Sequence, residues 1–233
     1  MKIVFFSDIH GNKYVIPAFL REMKKENPDK IVFCGDIFGY YYYQNEIINL
    51  FRNSNFIVLL GNHEQYFLDL LNGLIDMDLL IKKYGNSYCN IQNKISLENV
   101  KFIENLKPQY EFKADGCNIA VFHGSPEDNL NGRIYPDTVI KNTEYYSNYD
   151  YVVLGHTHHK MERKVGKCMV LNPGSIGQQR DGKGCSYLVL DTALQKYYFK
   201  IINFPVEKLI EDIDFYDPEN LYLKEVLRRN INK

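Results

Sequence analysis

The chain has 233 residues, 45% of them hydrophobic, and a net charge of −1. That length and apolar content suit one domain with a sizeable core, and the balanced charge gives the whole chain no nucleic-acid or membrane-surface footprint. No apolar run reaches the length of a membrane span, and five scattered cysteines (Cys34, Cys89, Cys117, Cys168, Cys185) without C-x-x-C spacing read as reduced thiols rather than a disulfide framework.

The chain opens on the apolar run 3–6, which suits a strand covered on both faces. No charged and apolar leader precedes it, so the expectation is a cytoplasmic protein. Over 13–26, Val15, Ile16, Phe19, Leu20 and Met23 recur at helical spacing, and Asn27-Pro28 ends that helix. Residues 31–34 and 56–60 read as two more buried strands, with helical stretches around 46–52 and 65–82 on either side of the latter. The β-α-β-α-β order predicts a parallel sheet with crossover helices.

Residues 84–116 are less regular and hold a short helix near 97–106; they could form a lobe over one end of the sheet. Strands follow at 118–122 and 151–154. The runs 168–171, 186–190 and 197–202 are shorter and read as antiparallel. After Pro205, Val206, Leu209, Ile210 and Ile213 recur at helical spacing, as do Val226, Leu227 and Ile231 after Pro218. The expected division is one domain over 1–204, with the irregular lobe around 84–117, and a helical tail over 205–233 packed on its outside. One apolar face of that tail could serve a homo-oligomer.

Five of the six histidines lie in four short motifs, each after an apolar run: Ser7-Asp8-Ile9-His10-Gly11, Gly61-Asn62-His63-Glu64, His123-Gly124-Ser125-Pro126 and Gly155-His156-Thr157-His158. Gly35-Asp36 has the same placement. In open α/β sheets, ligands bind beyond the carboxyl ends of the strands, so these loops deliver their polar groups to one rim. Imidazole, carboxylate and amide oxygen suit a first-row divalent metal. Asp8, Asp36, His10, His123, His156, His158 and Asn62 exceed the three or four protein ligands of one catalytic zinc. They suit two ions about 3.5–4 Å apart sharing a carboxylate.

In this order, Asp-x-His, Gly-Asp, Gly-Asn-His-Glu, His-Gly and Gly-His-Thr-His resemble the calcineurin-like metallophosphoesterase superfamily. The stretch Asn172-Pro173-Gly174-Ser175-Ile176-Gly177 resembles its small YfcE-like branch. The resemblance covers residues 1 to about 190. It implies an α/β fold, a four-layer α/β/β/α sandwich of mixed sheets, with a binuclear metal site at the strand ends. It implies that Asp8, His10, Asp36 and His158 hold one divalent ion and that Asp36, as a bridge, holds a second with Asn62, His123 and His156. Mn²⁺ is the first choice in vitro, with Fe, Zn, Ni or Co as alternatives. A hydroxide between the ions would attack phosphorus, and His63 would give a proton to the leaving alkoxide.

Two departures shape the substrate expectation. The protein Ser/Thr phosphatase branch carries Gly-Asp-x-x-Asp-Arg-Gly, whereas this chain reads Gly35-Asp36-Ile37-Phe38-Gly39-Tyr40. It lacks the acid that would orient the histidine and the arginine that would clamp phosphate. Glu64, where many small members have Asp, either orients His63 or begins the next helix. Arg180 and Asn12 are the candidate substrate contacts, with an Arg180–Asp181 pair as the bland alternative for the former. The tyrosines at 40–43 either stack a base or aryl group or pack on the core; packing is the preferred reading. His159 is expected in a solvated loop and Cys34 in a buried strand.

The leading expectation is a metal-dependent phosphodiesterase acting on a small phosphoester, with a nucleotide among the candidates. The alternatives are a phosphomonoesterase or dinucleoside polyphosphate hydrolase, and a non-catalytic scaffold like the retromer subunit of similar fold. The scaffold has no use for His63.

Overall fold

The computed structural model describes residues 1–92 and 94–229. Its strands are β1 (Lys2–Phe6), β2 (Lys30–Phe33), β3 (Ile57–Val58), β4 (Gln109–Ala114), β5 (Cys117–Phe122), β6 (Tyr151–Leu154), β7 (Lys160–Val165), β8 (Cys168–Pro173), β9 (Ser186–Asp191) and β10 (Lys196–Ile201). They form two five-stranded sheets, ordered β10-β9-β1-β2-β3 and β4-β5-β6-β8-β7. The helices are α1 (Ile16–Glu26), α2 (Gln44–Arg52), α3 (Asn62–Leu71), α4 (Met77–Tyr84), α5 (Ser87–Gln92), α6 (Leu97–Glu104), α7 (Val206–Tyr216) and α8 (Leu221–Arg228).

Alternation along the strands builds the layers. Ile3 and Phe5, beside Leu190 and Leu188 of the same sheet, face Ile119, Val121, Val153 and Leu171 of the other. Val4 and Phe6 point the other way, into a core shared with α1, α2 and α3. On the far face of the second sheet, Ala120, Phe122, Val152 and Leu154 pack under Ile134, Ile140, Tyr146 and Tyr149. This is the α/β/β/α class, with a fourth layer made here of loop and a short 3₁₀ turn at Thr143–Tyr146.

β1, β2 and β3 run parallel, as do β5, β6 and β8. Their carboxyl ends therefore open on one rim. Chain segments stitch the two sheets together there: Ile176 N–H donates to Ser7 O at 3.0 Å, and Gly177 N–H to Asp8 O at 3.2 Å.

Several elements differ from the sequence expectation. β3 is only two residues long, and the expected helix over 65–82 is two helices separated at Gly73. β8 is parallel to β6 and antiparallel only to β7. β4 and β7 went unread because, as half-exposed strands at the edges of their sheet, they carry alternating polar residues. The tail helices α7 and α8 do more than coat the outside. They pack on Tyr40, Tyr41 and Tyr42, and the Tyr42 hydroxyl donates to Asp217 at 2.7 Å. Ile231 lies outside the described residues. No described helix is long and apolar enough to cross a membrane.

Candidate metal centre

Loops from both sheets bring the motif residues together at the rim. One ligand atom each from Asp8, His10, Asp36 and His158 lies within 4.8 Å of the others, as does one each from Asp36, His123 and His156. All six are buried, and Asp36 belongs to both groups. Asn62 joins the second group, its Oδ1 lying 3.0 Å from His123 Nε2. His123 Nε2 also lies 3.4 Å from Asp36 Oδ2.

Three of the rings are fixed by their inner nitrogens. Nδ1 of His10 meets Phe38 O at 2.6 Å, Nδ1 of His123 meets Cys34 O at 2.8 Å, and Nδ1 of His158 meets Gln178 O at 2.7 Å. A carbonyl only accepts, so each Nδ1 carries the proton and each Nε2 is turned inward. The Nε2 atoms of His10 and His158 approach to 2.8 Å, with Asp8 Oδ1 at 3.3 Å from the latter. Asp8 Oδ1 is buried and has no hydrogen-bond donor among the described residues. Such an oxygen is costly unless it has a partner. Inward lone pairs around an orphaned carboxylate oxygen fit a cation, and this donor set fits divalent first-row ions.

The backbone is bent to achieve this. Asp8, His10, Asp36, His156 and His158 all have positive φ, between 49° and 70°. Each costs about 1–3 kcal/mol in a non-glycine residue, and such strain gathers where side chains must converge. Gly61 answers a different need, since a Cβ there would run into the Asp36 carboxylate.

Electrostatics follow from burial. It holds His10 and His158 well below the ordinary imidazole range, and with the charge of His123 it lowers His156 to about 4. Burial opposes a charge on His123 too, but the Asp36 carboxylate beside it wins and pushes it up to about 9. Asp36, despite burial, is held well below its usual value by His123 and His63, while burial and the Asp36 charge raise Asp8. Two carboxylates out of water thus compete for the protons of one site.

The remaining expected residues fall as follows. His63 sits beside the cluster, its ring 4.9 Å from that of His10, and burial lowers it to about 4. Glu64 neither orients His63 nor merely starts α3. Its carboxylate accepts the N–H groups of Asp36, Ile37, Phe38 and Gly61 at 2.7–3.0 Å, so it holds the Asp36 loop. Arg180 donates to Tyr40 Oη at 2.8 Å and Gln178 Oε1 at 3.1 Å, and its Nε is buried with no partner among the described residues. No ion pair joins it to Asp181 among the described residues. Asn12 accepts from Tyr14 N–H at 3.1 Å and donates to Gly177 O at 3.1 Å, contacts that hold the His10 loop. Tyr40 is buried in the tail core as the packing reading had it, yet its ring stands edge-on to His10 at 4.8 Å. His159 is half-buried and bonds to Thr157 O; Cys34 is fully buried.

Arg133 is among the site residues that sequence reasoning did not single out. Its Nε donates to His156 Nε2 at 2.9 Å. Only its place in a glycine-flanked loop after the His123 motif hinted at it.

A family profile for the calcineurin-like phosphoesterase superfamily domain matches residues 1–195. The chain belongs to that superfamily. An uncharacterized protein of Methanocaldococcus jannaschii, MJ0912, is 28% identical over 91% of both chains. The phosphodiesterase MJ0936 of the same organism is 27% identical over 84% of this chain and 96% of its own. A metallophosphoesterase structure from Sphaerobacter thermophilus shares the fold over 99% of both chains, with a TM-score of 0.76 at 22% identity. The E. coli phosphoesterase YfcE shares it over 87% of this chain and all of its own, with a TM-score of 0.52 at 19% identity. The small YfcE-like members thus match the chain without its full length, and the S. thermophilus protein matches nearly all of it.

Proposed function

We propose that this protein is a metal-dependent phosphodiesterase acting on small phosphodiesters in the cytoplasm, with Asp8, His10, Asp36 and His158 at one divalent ion and Asp36, Asn62, His123 and His156 at the other. The observation that carries the reading is the set of inward-turned Nε2 atoms around two buried carboxylates, with Asp36 common to both groups. Two bound ions, Mn²⁺ being the first to try, would neutralise phosphate charge and lower the pKa of water.

The chain's own residues account for the rest. Arg180 offers an unpaired Nε–H beside the ring of Tyr40, which suits a phosphate oxygen. Arg133 offers a second guanidinium on the His156 side. His63 stands next to both carboxylates' site without being one of the two groups, so it is free to pass a proton to the departing oxygen. A scaffold would need neither an orphaned Asp8 oxygen nor His63.

A phosphomonoesterase is the second reading, and one contact favours it. Tyr40 stands where the phosphatase branch has its clamping arginine, and Arg180 reaches that place from the loop after β8.

The test is hydrolysis of bis-p-nitrophenyl phosphate and p-nitrophenyl phosphate by metal-stripped protein re-supplied with Mn²⁺. Diester turnover, abolished in Asp36→Asn and reduced about 10²–10⁴-fold in His63→Ala, is the expected result. Preference for the monoester selects the second reading. No turnover with any divalent ion returns the scaffold.

A further inference from the structure

His63 is held from behind by a residue that none of the sequence motifs contains. Tyr88, on α5, is fully buried. Its hydroxyl lies 2.7 Å from His63 Nδ1 and donates to the His63 carbonyl oxygen at 3.2 Å, and the two rings are within 14° of parallel. A phenol has one proton. With that proton on the carbonyl, the oxygen's lone pairs receive Nδ1–H. Nε2, the other ring nitrogen, has no hydrogen bond among the described residues.

Gly39 explains why a tyrosine is needed. It occupies the position where the phosphatase branch has the acid that orients the histidine. Here φ at Gly39 is +85°, and a Cβ added to it would run into Nδ1 and Cε1 of His63. The imidazole fills the space that an orienting side chain at 39 would require. No side chain at 39 can serve, and the partner for Nδ1 comes instead from α5, in the stretch 84–116 that the sequence read as an irregular lobe with one short helix near 97–106.

We propose that Tyr88 is the positioning residue for His63, replacing the missing acid by a neutral hydroxyl that fixes the Nδ1–H form of the ring and aims Nε2 at the reaction. The proposal deepens the phosphoesterase reading and rests on it for what His63 does. In the step concerned, a hydroxide oxygen bonds to phosphorus as the P–O bond to the leaving group breaks, and a proton on Nε2 passes to the departing oxygen. The ring, neutral at rest because burial lowers it to about 4, takes that proton from solvent when the negative phosphate arrives beside it. The ring is left neutral with Nδ1–H still on Tyr88 Oη, so Tyr88 gains and loses no proton. Its effect is on geometry, and that effect grows with the need of the leaving group for a proton.

Three variants test this: Tyr88→Phe, His63→Ala and the double substitution, each assayed on bis-p-nitrophenyl phosphate and on diphenyl phosphate, whose phenolate is the poorer leaving group. Tyr88→Phe is expected to leave KM within about twofold, to lower kcat about 3-fold for the nitrophenyl ester and about 30-fold for the phenyl ester, and to slow the His63→Ala protein no further. Nitrogen NMR of the His63 ring in metal-free protein is expected to show the Nδ1-protonated form, and a tautomer mixture in Tyr88→Phe. Equal losses on the two esters, additive loss in the double variant, or an unchanged tautomer would each overturn the proposal. If no diester is turned over at all, the phosphodiesterase reading fails, and the NMR result alone upholds or overturns the fixing of His63 by Tyr88.

Discussion

Arg133 Nε donates a hydrogen bond to His156 Nε2 at 2.9 Å. A neutral imidazole has one lone pair, and the guanidinium occupies it. Under the proposed ligand assignment, His156 would give that lone pair to the second ion instead. Arg133 and that ion would then compete for one atom, with the arginine's charge adding repulsion. Arg133→Gln is expected to tighten binding of the second Mn²⁺ about 3–10-fold by isothermal titration calorimetry, while the displaced guanidinium's loss raises KM for bis-p-nitrophenyl phosphate. Weaker metal binding in the variant would mean that Arg133 supports His156 rather than competing for it.

Glu64 performs its work through four backbone N–H groups. Oε1 accepts from Ile37 and Phe38, Oε2 from Asp36 and Gly61. Burial and the Asp36 charge push its pKa up to about 7 against those bonds. Glutamine would keep the shape but turn an NH₂ toward two donors, leaving both unsatisfied. At about 1–3 kcal/mol for each buried unsatisfied group, Glu64→Gln is expected to cost about 2–6 kcal/mol in denaturant unfolding. It should also weaken Mn²⁺ binding, because the loop it holds carries Asp36. A variant of unchanged stability would remove Glu64 as the organiser of that loop.

The site was legible where chemistry and strand ends coincide. His10, His123, His156 and His158 follow apolar runs, and that placement is visible in one dimension. What the loops do with their backbones is not: nothing in the residue types of Asp8 or His158 announces φ near 57°. Tyr88 is one of 19 tyrosines, in a stretch without period, and its role exists only because α5 folds against Gly39 and His63. Arg133 depends likewise on the path of one loop. The parallel strands β1, β2, β5 and β6 were readable because burial on both faces makes them continuously apolar. β4 and β7 alternate with lysine and glutamate, a pattern shared with exposed loops.

Metal uptake should release protons. His123 is raised to about 9, burial notwithstanding, by Asp36, and its Nδ1 is already tied to Cys34 O. Below pH 9 the ring is mostly charged and Nε2 holds a proton, which the incoming ion must expel. Binding at that position is therefore expected to weaken roughly tenfold for each pH unit below 9. Asp8, raised by burial and by the Asp36 charge, works in the same direction at lower pH. Calorimetric titration of Mn²⁺ at pH 7 in buffers of different ionisation enthalpy should report about one proton released per second ion. A binding constant flat from pH 6 to 8 would sink the assignment of His123 as a ligand.

Arg180 links the loop after β8 to the tyrosine loop before α2, yet it leaves one donor unused. Nη2 is shared between Tyr40 Oη and Gln178 Oε1, whereas Nε is buried without a partner among the described residues. A buried N–H of that kind costs about 1–3 kcal/mol until something accepts it. A phosphate oxygen is the acceptor whose charge and planar approach match a guanidinium edge. Inorganic phosphate should then raise the melting temperature of the Mn²⁺-loaded protein, since a ligand that binds only the folded state stabilises it. In Arg180→Lys that increment is expected to shrink, with phosphate inhibition weakened at least about 10-fold, because an ammonium keeps the charge but loses the fork. Equal phosphate affinity in the variant would leave Arg180 a structural strut between Tyr40 and Gln178, and would pass the phosphate to Arg133.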